Sequence, residues 1–237
     1  MLLSDIFLQL THGELAGLAI AGAEGSGILP QDRPAIIAHV NLGLTELHKR
    51  FDLRREEVMV QQYDHIQKYY LEKKNAVIAG ADSSASPKYI IDSPEEPFDE
   101  NVLRIEQVIN ENGEELYKND ENSYWTIWCP QFNCVQVPLP SSENAMCIKY
   151  RADHERIDPS PNTIPEEIDV RFPDSHLQPL LYFIAARIYA SKPTLDGATS
   201  SAEYTAKFEA ACMKALELNL DQKDTPSNRK LYIRGFV

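Results

Sequence analysis

The sequence predicts an α+β protein: a helical bundle, formed by an N-terminal helix and a C-terminal helical hairpin, with an inserted small antiparallel β domain and an extended C-terminal tail. Apolar residues follow the three-then-four spacing of a helix near both ends of the chain. Short β-branched and aromatic segments bounded by prolines occupy the middle. The expected division is 1–55 with 172–220 for the bundle, 56–171 for the inserted β region and a proline-rich strap, and 221–237 for the tail.

The N-terminal helix of the bundle is expected to begin at Asp32 and to end near Phe51. Asp32 can cap it, and Pro34 suits its first turn because a proline there loses no hydrogen bond. We expect this helix to pack against the C-terminal hairpin. A shorter helical stretch, Leu2 to Leu10, precedes it with Leu3, Ile6, Phe7 and Leu10 on one face. The buried stripe of the longer helix is predicted to contain Ile37, Val40, Leu44, Leu47 and Phe51.

The inserted β region is predicted from several short segments. Apolar residues alternate over Val102 to Val108, and Asn112-Gly113 then indicates a tight turn, because both residue types tolerate positive φ. Glu115-Leu116-Tyr117 is the expected return strand of this β-hairpin. Further strand candidates are Tyr124 to Trp128, Cys134 to Val137 and Met146 to Tyr150.

The C-terminal hairpin follows an irregular strap, Asp153 to Pro173, that contains four prolines. Two amphipathic helices are expected, since Pro193 and Gly197 interrupt the periodicity between them and the short loop makes them antiparallel. Ser200 or Ser201 is the expected cap of the second helix. The predicted stripes are Leu177, Leu180, Leu181, Ile184 and Ile188 in the first helix, and Tyr204, Phe208, Ala211, Ala215 and Leu218 in the second.

Composition limits the classes of function. The chain is 43% hydrophobic and 25% charged, as in ordinary soluble globular proteins, and its formal net charge is −13. Such acidity argues against general binding of nucleic acid, and it suits either solubility or a wall past which a polyanion slides. The apolar run Leu15 to Ala23 is far shorter than the about 20 residues that span a bilayer. With Asp5 and no basic start in Met1 to Leu10, we expect a soluble protein made in the cytoplasm.

No familiar catalytic motif is present in the sequence. It has no GxSxG, HExxH, Walker A or Rossmann pattern, and the cysteines and histidines lack metal-ligand spacing. Asp64-His65 and Asp153-His154 are neighbouring acid–histidine pairs, but adjacent side chains point apart on a regular strand or helix. We therefore expect no enzyme activity, no metal and no cofactor, with a spatial Asp/Glu/His site that motifs do not report as the alternative.

Three aromatic residues, Tyr124, Trp125 and Trp128, lie within five positions of one another. On a strand the two tryptophans would fall on opposite faces, so one is expected in the core and the other over a loop or against a partner. This segment is a candidate surface for a ligand or partner, and a platform for sugars or bases is an open alternative.

The chain ends with large apolar side chains among basic ones, whereas terminal segments are usually polar and frayed. Such an ending either packs on its own domain or docks onto another protein as an added strand or an anchored extended peptide. The residues of this candidate docking tail are Arg229, Lys230, Leu231, Tyr232, Ile233, Arg234, Phe236 and Val237.

The order of these elements resembles the head-to-tail adaptor (connector) proteins of tailed phages, of the tail tubular protein A type found in short-tailed phages. The similarity rests on the helix from Asp32 to Phe51, the segment LRIEQVINENGEELY, the proline-rich return and the hairpin LLYFIAARIYASKP…AEYTAKFEAACMKAL. Its most specific part is Leu180 to Leu218. The β insertion is longer than the family pattern, so contacts of the β face with the next tail component are not transferred.

The resemblance implies a structural virion protein of the tail or neck that is assembled in the host cytoplasm. It implies a ring, typically dodecameric, beneath the portal protein, with the downstream tail or nozzle protein on its β side and C-terminal tails inserted into the portal. DNA would pass through without specific binding, and no membrane or cofactor is implied. Arg187 and Lys207 on the hairpin are then expected to meet neighbouring subunits.

A different class of function stays open beside this one. The chain could be a tail or baseplate accessory binding module whose β region recognises carbohydrate or another tail protein. Tyr124, Trp125 and Trp128 are the residues that would carry such recognition.

Overall fold

A computed structural model describes residues 1–21, 27–123, 126–160 and 163–218 of the chain. Within these residues it contains four α-helices and two antiparallel sheets, which confirms the predicted α+β class. The helices are α1 (Leu3–His12), α2 (Arg33–Arg50), α3 (Leu177–Ala190) and α4 (Leu195–Glu217). The strands are β1 (Arg55–Gln61), β2 (Lys68–Tyr70), β3 (Ile90–Ile91), β4 (Val102–Asn110), β5 (Trp128–Gln131), β6 (Cys134–Gln136) and β7 (Ala145–Ala152).

The chain divides into two compact units. The first contains α1, α3 and α4 together with the short segment Phe51–Leu53, and the second contains α2 and both sheets. The predicted division differs from these units in two main respects: it assigned α2 to the same body as the C-terminal hairpin, and it assigned the end of the strap, 165–171, to the β region.

In the first unit, α1 buries Leu3, Ile6, Phe7 and Leu10, the four residues predicted to share its inner face. The segment before α1 pairs with the end of the strap: the Leu3 N–H donates to the Ile168 carbonyl at 2.9 Å, and the Val170 N–H donates to the Met1 carbonyl at 2.8 Å. Helix α3 buries Leu180, Leu181, Ile184 and Ile188. These contacts follow directly from the apolar period of both helices.

Helices α3 and α4 form the predicted C-terminal hairpin, but α4 begins earlier than expected. Thr194, rather than Ser200 or Ser201, caps it by accepting the Gly197 N–H at 3.0 Å. Gly197 lies in the first helical turn instead of interrupting the helix, and a Cβ there would come within 2.9 Å of the Lys192 carbonyl oxygen. The predicted stripe is also wrong at its end, because Leu218 is 59% exposed.

The second unit holds a four-stranded sheet in the order β3-β1-β7-β4 and a three-stranded sheet in the order β2-β6-β5, all antiparallel. One apolar cluster draws on strands of both sheets, including Val60, Tyr69, Val135 and Ile148. Pro130 lies in β5, which is an edge strand, so the missing N–H of the proline does not interrupt the centre of a sheet.

Strand β4 corrects the predicted alternation. Its buried residues are Val102, Ile105 and Val108, three apart, because register shifts against β7 turn the strand twice. The turn predicted at Asn112-Gly113 is present, with φ of +79° at Gly113. The expected return strand is reduced to a single bridge between Ile109 and Glu115.

Among the described residues, every helix is either too short or too polar to cross a lipid bilayer.

Candidate functional site

The predicted docking tail, Arg229 to Val237, lies outside the described residues, and so do Tyr124 and Trp125. Trp128 opens the edge strand β5, where it is half-buried and lies opposite Gln136 of β6. Of the aromatic segment, only the position of Trp128 is therefore established. Recognition of a ligand by that segment stays a prediction.

The two residues predicted to meet neighbouring subunits are exposed on the C-terminal hairpin, Arg187 on α3 and Lys207 on α4. Lys207 forms an ion pair with Glu203 at 2.6 Å, and its Nζ lies 4.9 Å from the centre of the Tyr204 ring. An exposed pair of this kind contributes little to folding, so Lys207 is available for contacts with another chain.

Around Lys207, three half-buried tyrosines form what we call the tyrosine surface: Tyr182, Tyr189 and Tyr204. The Tyr189 and Tyr204 rings stack with centres 5.4 Å apart, and both hydroxyls point at the Glu14 carbonyl oxygen, at 3.4 and 3.3 Å. The Nζ of Lys192 lies 5.2 Å from the Tyr189 ring centre. Tyrosine is enriched at protein interfaces and among the residues whose truncation costs most binding energy.

The distal part of α4 adds exposed apolar side chains. Met213, Leu216 and Leu218 are all exposed. Few residues of α4 are buried against the protein itself. Met213 and Leu216 are three residues apart and therefore lie on the same side of the helix. Large contiguous apolar patches mark contact surfaces, and these side chains add exposed apolar area to the hairpin.

A second candidate site lies in the second unit, where α2 meets the first residues after β7. Asn41, Thr45 and His48 follow one face of α2, at spacings of four and three residues. The Asn41 amide binds the strap through both of its ends: Nδ2 donates to the Ile157 carbonyl at 2.8 Å, and Oδ1 accepts the Ile157 N–H at 3.0 Å. Asn41 thereby fixes the chain opposite α2.

Asp153 and His154 complete this polar cluster and correct the prediction that the two side chains point apart. Asp153 Oδ1 accepts the backbone N–H of His154 at 2.8 Å and lies 2.9 Å from its ring Nδ1. The expected divergence applies to a regular strand, whereas β7 has ended at Ala152 and the chain turns. Asp64 of the other pair instead accepts the Ser142 N–H at 2.6 Å.

His48 brings a second imidazole to the cluster. Its Nδ1 lies 2.8 Å from the Leu44 carbonyl, and its ring centre is 5.9 Å from that of His154. One ligand-type atom from each of His48, Asp153 and His154 lies within 4.8 Å of the other two. Burial lowers the pKa of His48 against the opposing effect of the Leu44 carbonyl. Burial acts to raise the pKa of Asp153, but hydrogen bonds from His154 and Thr45 outweigh it and lower that pKa.

The sequence offered only a weak signal for this cluster. Polar residues at helical spacing on α2 resemble any solvated face, and Asp153 lies 105 positions after His48, so no local motif connects them. No protein-family model and no curated protein matches this chain.

Proposed function

We propose that this chain is a structural virion protein, the head-to-tail adaptor subunit that forms a homo-oligomeric ring between the portal and the tail and lines part of the DNA channel. The observation that carries the proposal is the C-terminal hairpin, which presents the tyrosine surface and exposed apolar side chains and is followed by an apolar, basic segment.

Ring contacts are assigned to the hairpin. Tyrosines supply large contact area at a low cost in conformational entropy, and here stacking and the Glu14 hydrogen bonds already restrict two of the rings. Arg187 and Lys207 are the cations that would meet acidic groups of the next subunit, since each copy carries a net charge of −13.

Attachment to the portal is assigned to residues 229–237. Burying Leu231, Tyr232, Ile233 and Phe236 in clefts of the portal would contribute roughly 1.5–3 kcal/mol each, which offsets the ordering of an extended segment. The repetition of this contact around a ring multiplies its effect.

The acidity of the chain supports the channel assignment. Attraction between a basic wall and DNA would hold the DNA back, because each neutralised phosphate adds affinity. A subunit with 36 acidic and 23 basic side chains lets DNA pass without specific binding.

The experiment that tests this function removes Asn228 to Val237. The truncated protein should keep its helical and sheet signals by circular dichroism and its thermal unfolding midpoint, yet it should no longer co-sediment with portal rings. Particle averaging and native mass spectrometry of the full chain with the portal should show a closed ring on one portal face.

A matched variant separates apolar docking from charge. Leu231→Ser, Ile233→Ser and Phe236→Ser together keep Arg229, Lys230 and Arg234, and this variant should fail to attach as the truncation does. Attachment that survives the truncation unchanged would contradict the assignment of the tail.

A further inference from the structure

We propose that His48, Asp153 and His154 bind one divalent transition-metal ion of the Zn²⁺ type, and that this ion joins α2 to the start of the strap. The three side chains supply two imidazole nitrogens and one carboxylate oxygen, with one such atom from each within 4.8 Å of the others. The site belongs to the second unit alone, and it stands independently of the adaptor proposal.

The orientation of the His154 ring follows from Asn41. Because the Asn41 amide nitrogen donates to the Ile157 carbonyl, its oxygen is the atom that faces His154 Nε2, at 3.0 Å. Nε2 must then carry a hydrogen and donate it, and in a neutral ring this leaves the lone pair on Nδ1. Nδ1 lies 2.9 Å from Asp153 Oδ1, so these two acceptors require a positive centre between them: a proton in the metal-free protein, and the metal ion once it is bound.

The other two ligands are oriented in the same manner. His48 Nδ1 donates to the Leu44 carbonyl at 2.8 Å, which places the lone pair on Nε2. Asp153 Oδ2 accepts the Thr45 hydroxyl at 2.9 Å, and Oδ1, which accepts the His154 backbone N–H with one lone pair, has a second lone pair for the ion. Metal-bound histidines and carboxylates generally have such outer partners, which fix the tautomer and the ring direction.

Ligand type selects the ion. Two imidazoles with one carboxylate are a set that Zn²⁺ and similar ions take, whereas Mg²⁺ and Ca²⁺ prefer oxygen ligands throughout. Three protein ligands leave one tetrahedral position for water. His48 is only 2% exposed, while the Asp153 side chain is 25% exposed, so the carboxylate side gives access to the site.

The surrounding charges are compatible with a dication. Asp153 supplies the negative charge, and the guanidinium of one neighbouring cation, Arg54, reaches the Asp153 carbonyl at 3.5 Å. Arg54 is itself paired with Glu56 at 2.5 Å, which offsets its charge. On binding, the metal takes the place of the proton between Nδ1 and Oδ1, and that proton leaves to solvent.

The test uses the full chain, freed of metal with a chelator and then titrated with Zn²⁺ and, separately, with Co²⁺. We expect one saturable equivalent per chain by calorimetry, and visible d–d absorption of Co²⁺ without a thiolate charge-transfer band, because no cysteine belongs to the site. His48→Gln and His154→Gln should weaken binding by more than about 100-fold, and Thr45→Val, which removes only an outer partner, by about tenfold.

His65→Gln is the matched control, since Asp64-His65 repeats the Asp–His neighbour pair away from the cluster; its affinity should equal that of the wild type. Circular dichroism checks that each variant is folded. If a ligand variant does not fold, the titration of the wild-type protein still tests whether one metal ion binds per chain. Absence of saturable binding, a thiolate band, wild-type affinity in His48→Gln or His154→Gln, or lost affinity in His65→Gln each overturns the proposal.

Discussion

Asp92 shows how one side chain organises a loop region at the residue scale. Its carboxylate accepts three backbone N–H groups, from Ile78 at 2.7 Å, Ala79 at 2.9 Å and Phe98 at 3.1 Å. Burial acts to raise the pKa of Asp92, but these three hydrogen bonds outweigh it and hold that pKa below its ordinary value. The charged form of Asp92 therefore stabilises the folded loop.

We expect Asp92→Asn to lower the free energy of unfolding by about 1–2 kcal/mol at pH 7, a charge-assisted hydrogen-bond loss reduced by partial exposure. The contribution of Asp92 is complete above the ordinary aspartate pKa of about 3.9 and is lost as pH falls through the lower value of the folded state. Urea unfolding of both proteins between pH 7 and pH 2 should show their difference shrinking at acid pH. Asp82→Asn, at an exposed position, is the control; a difference that persists at low pH would refute the explanation.

In the polar cluster around His154, a single side chain, Asn41, holds a second backbone segment in place. The Asn41 side chain pairs with the backbone of Ile157 as a neighbouring strand would, because it supplies one donor and one acceptor to the same residue. Because Asn41 is buried and binds both backbone groups, the fold avoids the free-energy penalty of burying an N–H and a carbonyl without hydrogen bonds. This arrangement fixes His154 and Asp153, and the proposed metal site depends on it.

At the element scale, the start of α4 depends on the loop that precedes it. Thr194 supplies the capping oxygen, and Gly197 allows the first turn to pass close to the Lys192 carbonyl. The serines expected as caps, Ser200 and Ser201, lie inside the helix. A threonine oxygen can satisfy one of the initial N–H groups as a serine oxygen can, and the earlier cap adds hydrogen-bonded turns to the helix.

Thr194→Ala should therefore lower the free energy of unfolding by about 1 kcal/mol, because it removes the acceptor of the Gly197 N–H. Ser201→Ala should change it by less than about 0.5 kcal/mol, since Ser201 is not at the helix end. Thermal and urea unfolding measure both. A larger loss from Ser201→Ala than from Thr194→Ala would place the cap at the predicted serine instead.

At the scale of the whole molecule, an acidic chain displays cations on the hairpin that carries its tyrosine surface. Copies of such a chain repel one another at long range, so contact between them requires local pairing of opposite charges. Arg187 and Lys207 are exposed and suit that pairing. The ring proposal thus assigns these two residues to assembly rather than to folding.

Reversing either charge tests the assignment. Arg187→Glu and Lys207→Glu should each reduce ring formation beside the portal, measured by native mass spectrometry, with little change in the unfolding midpoint. Loss of the Lys207–Glu203 pair should cost the monomer little, because both side chains are exposed to solvent. Lys214→Glu makes the same charge change at another exposed position of α4 and should leave ring formation intact. Equal losses in all three variants would point to net charge instead of a specific contact.

The sequence by itself determined the class of fold and most of its helices, because helical periodicity is local: the inner face of α1 and the stripe of α3 can be read from neighbouring residues. Strand register and contacts between distant residues depend on the tertiary structure, because local sequence patterns do not contain them. Register shifts against β7 determine which residues of β4 are buried. Contacts between residues more than 100 positions apart bring Asn41 and His48 to Asp153 and His154. Hydrogen-bond geometry between distant segments, which no spacing rule encodes, created that site.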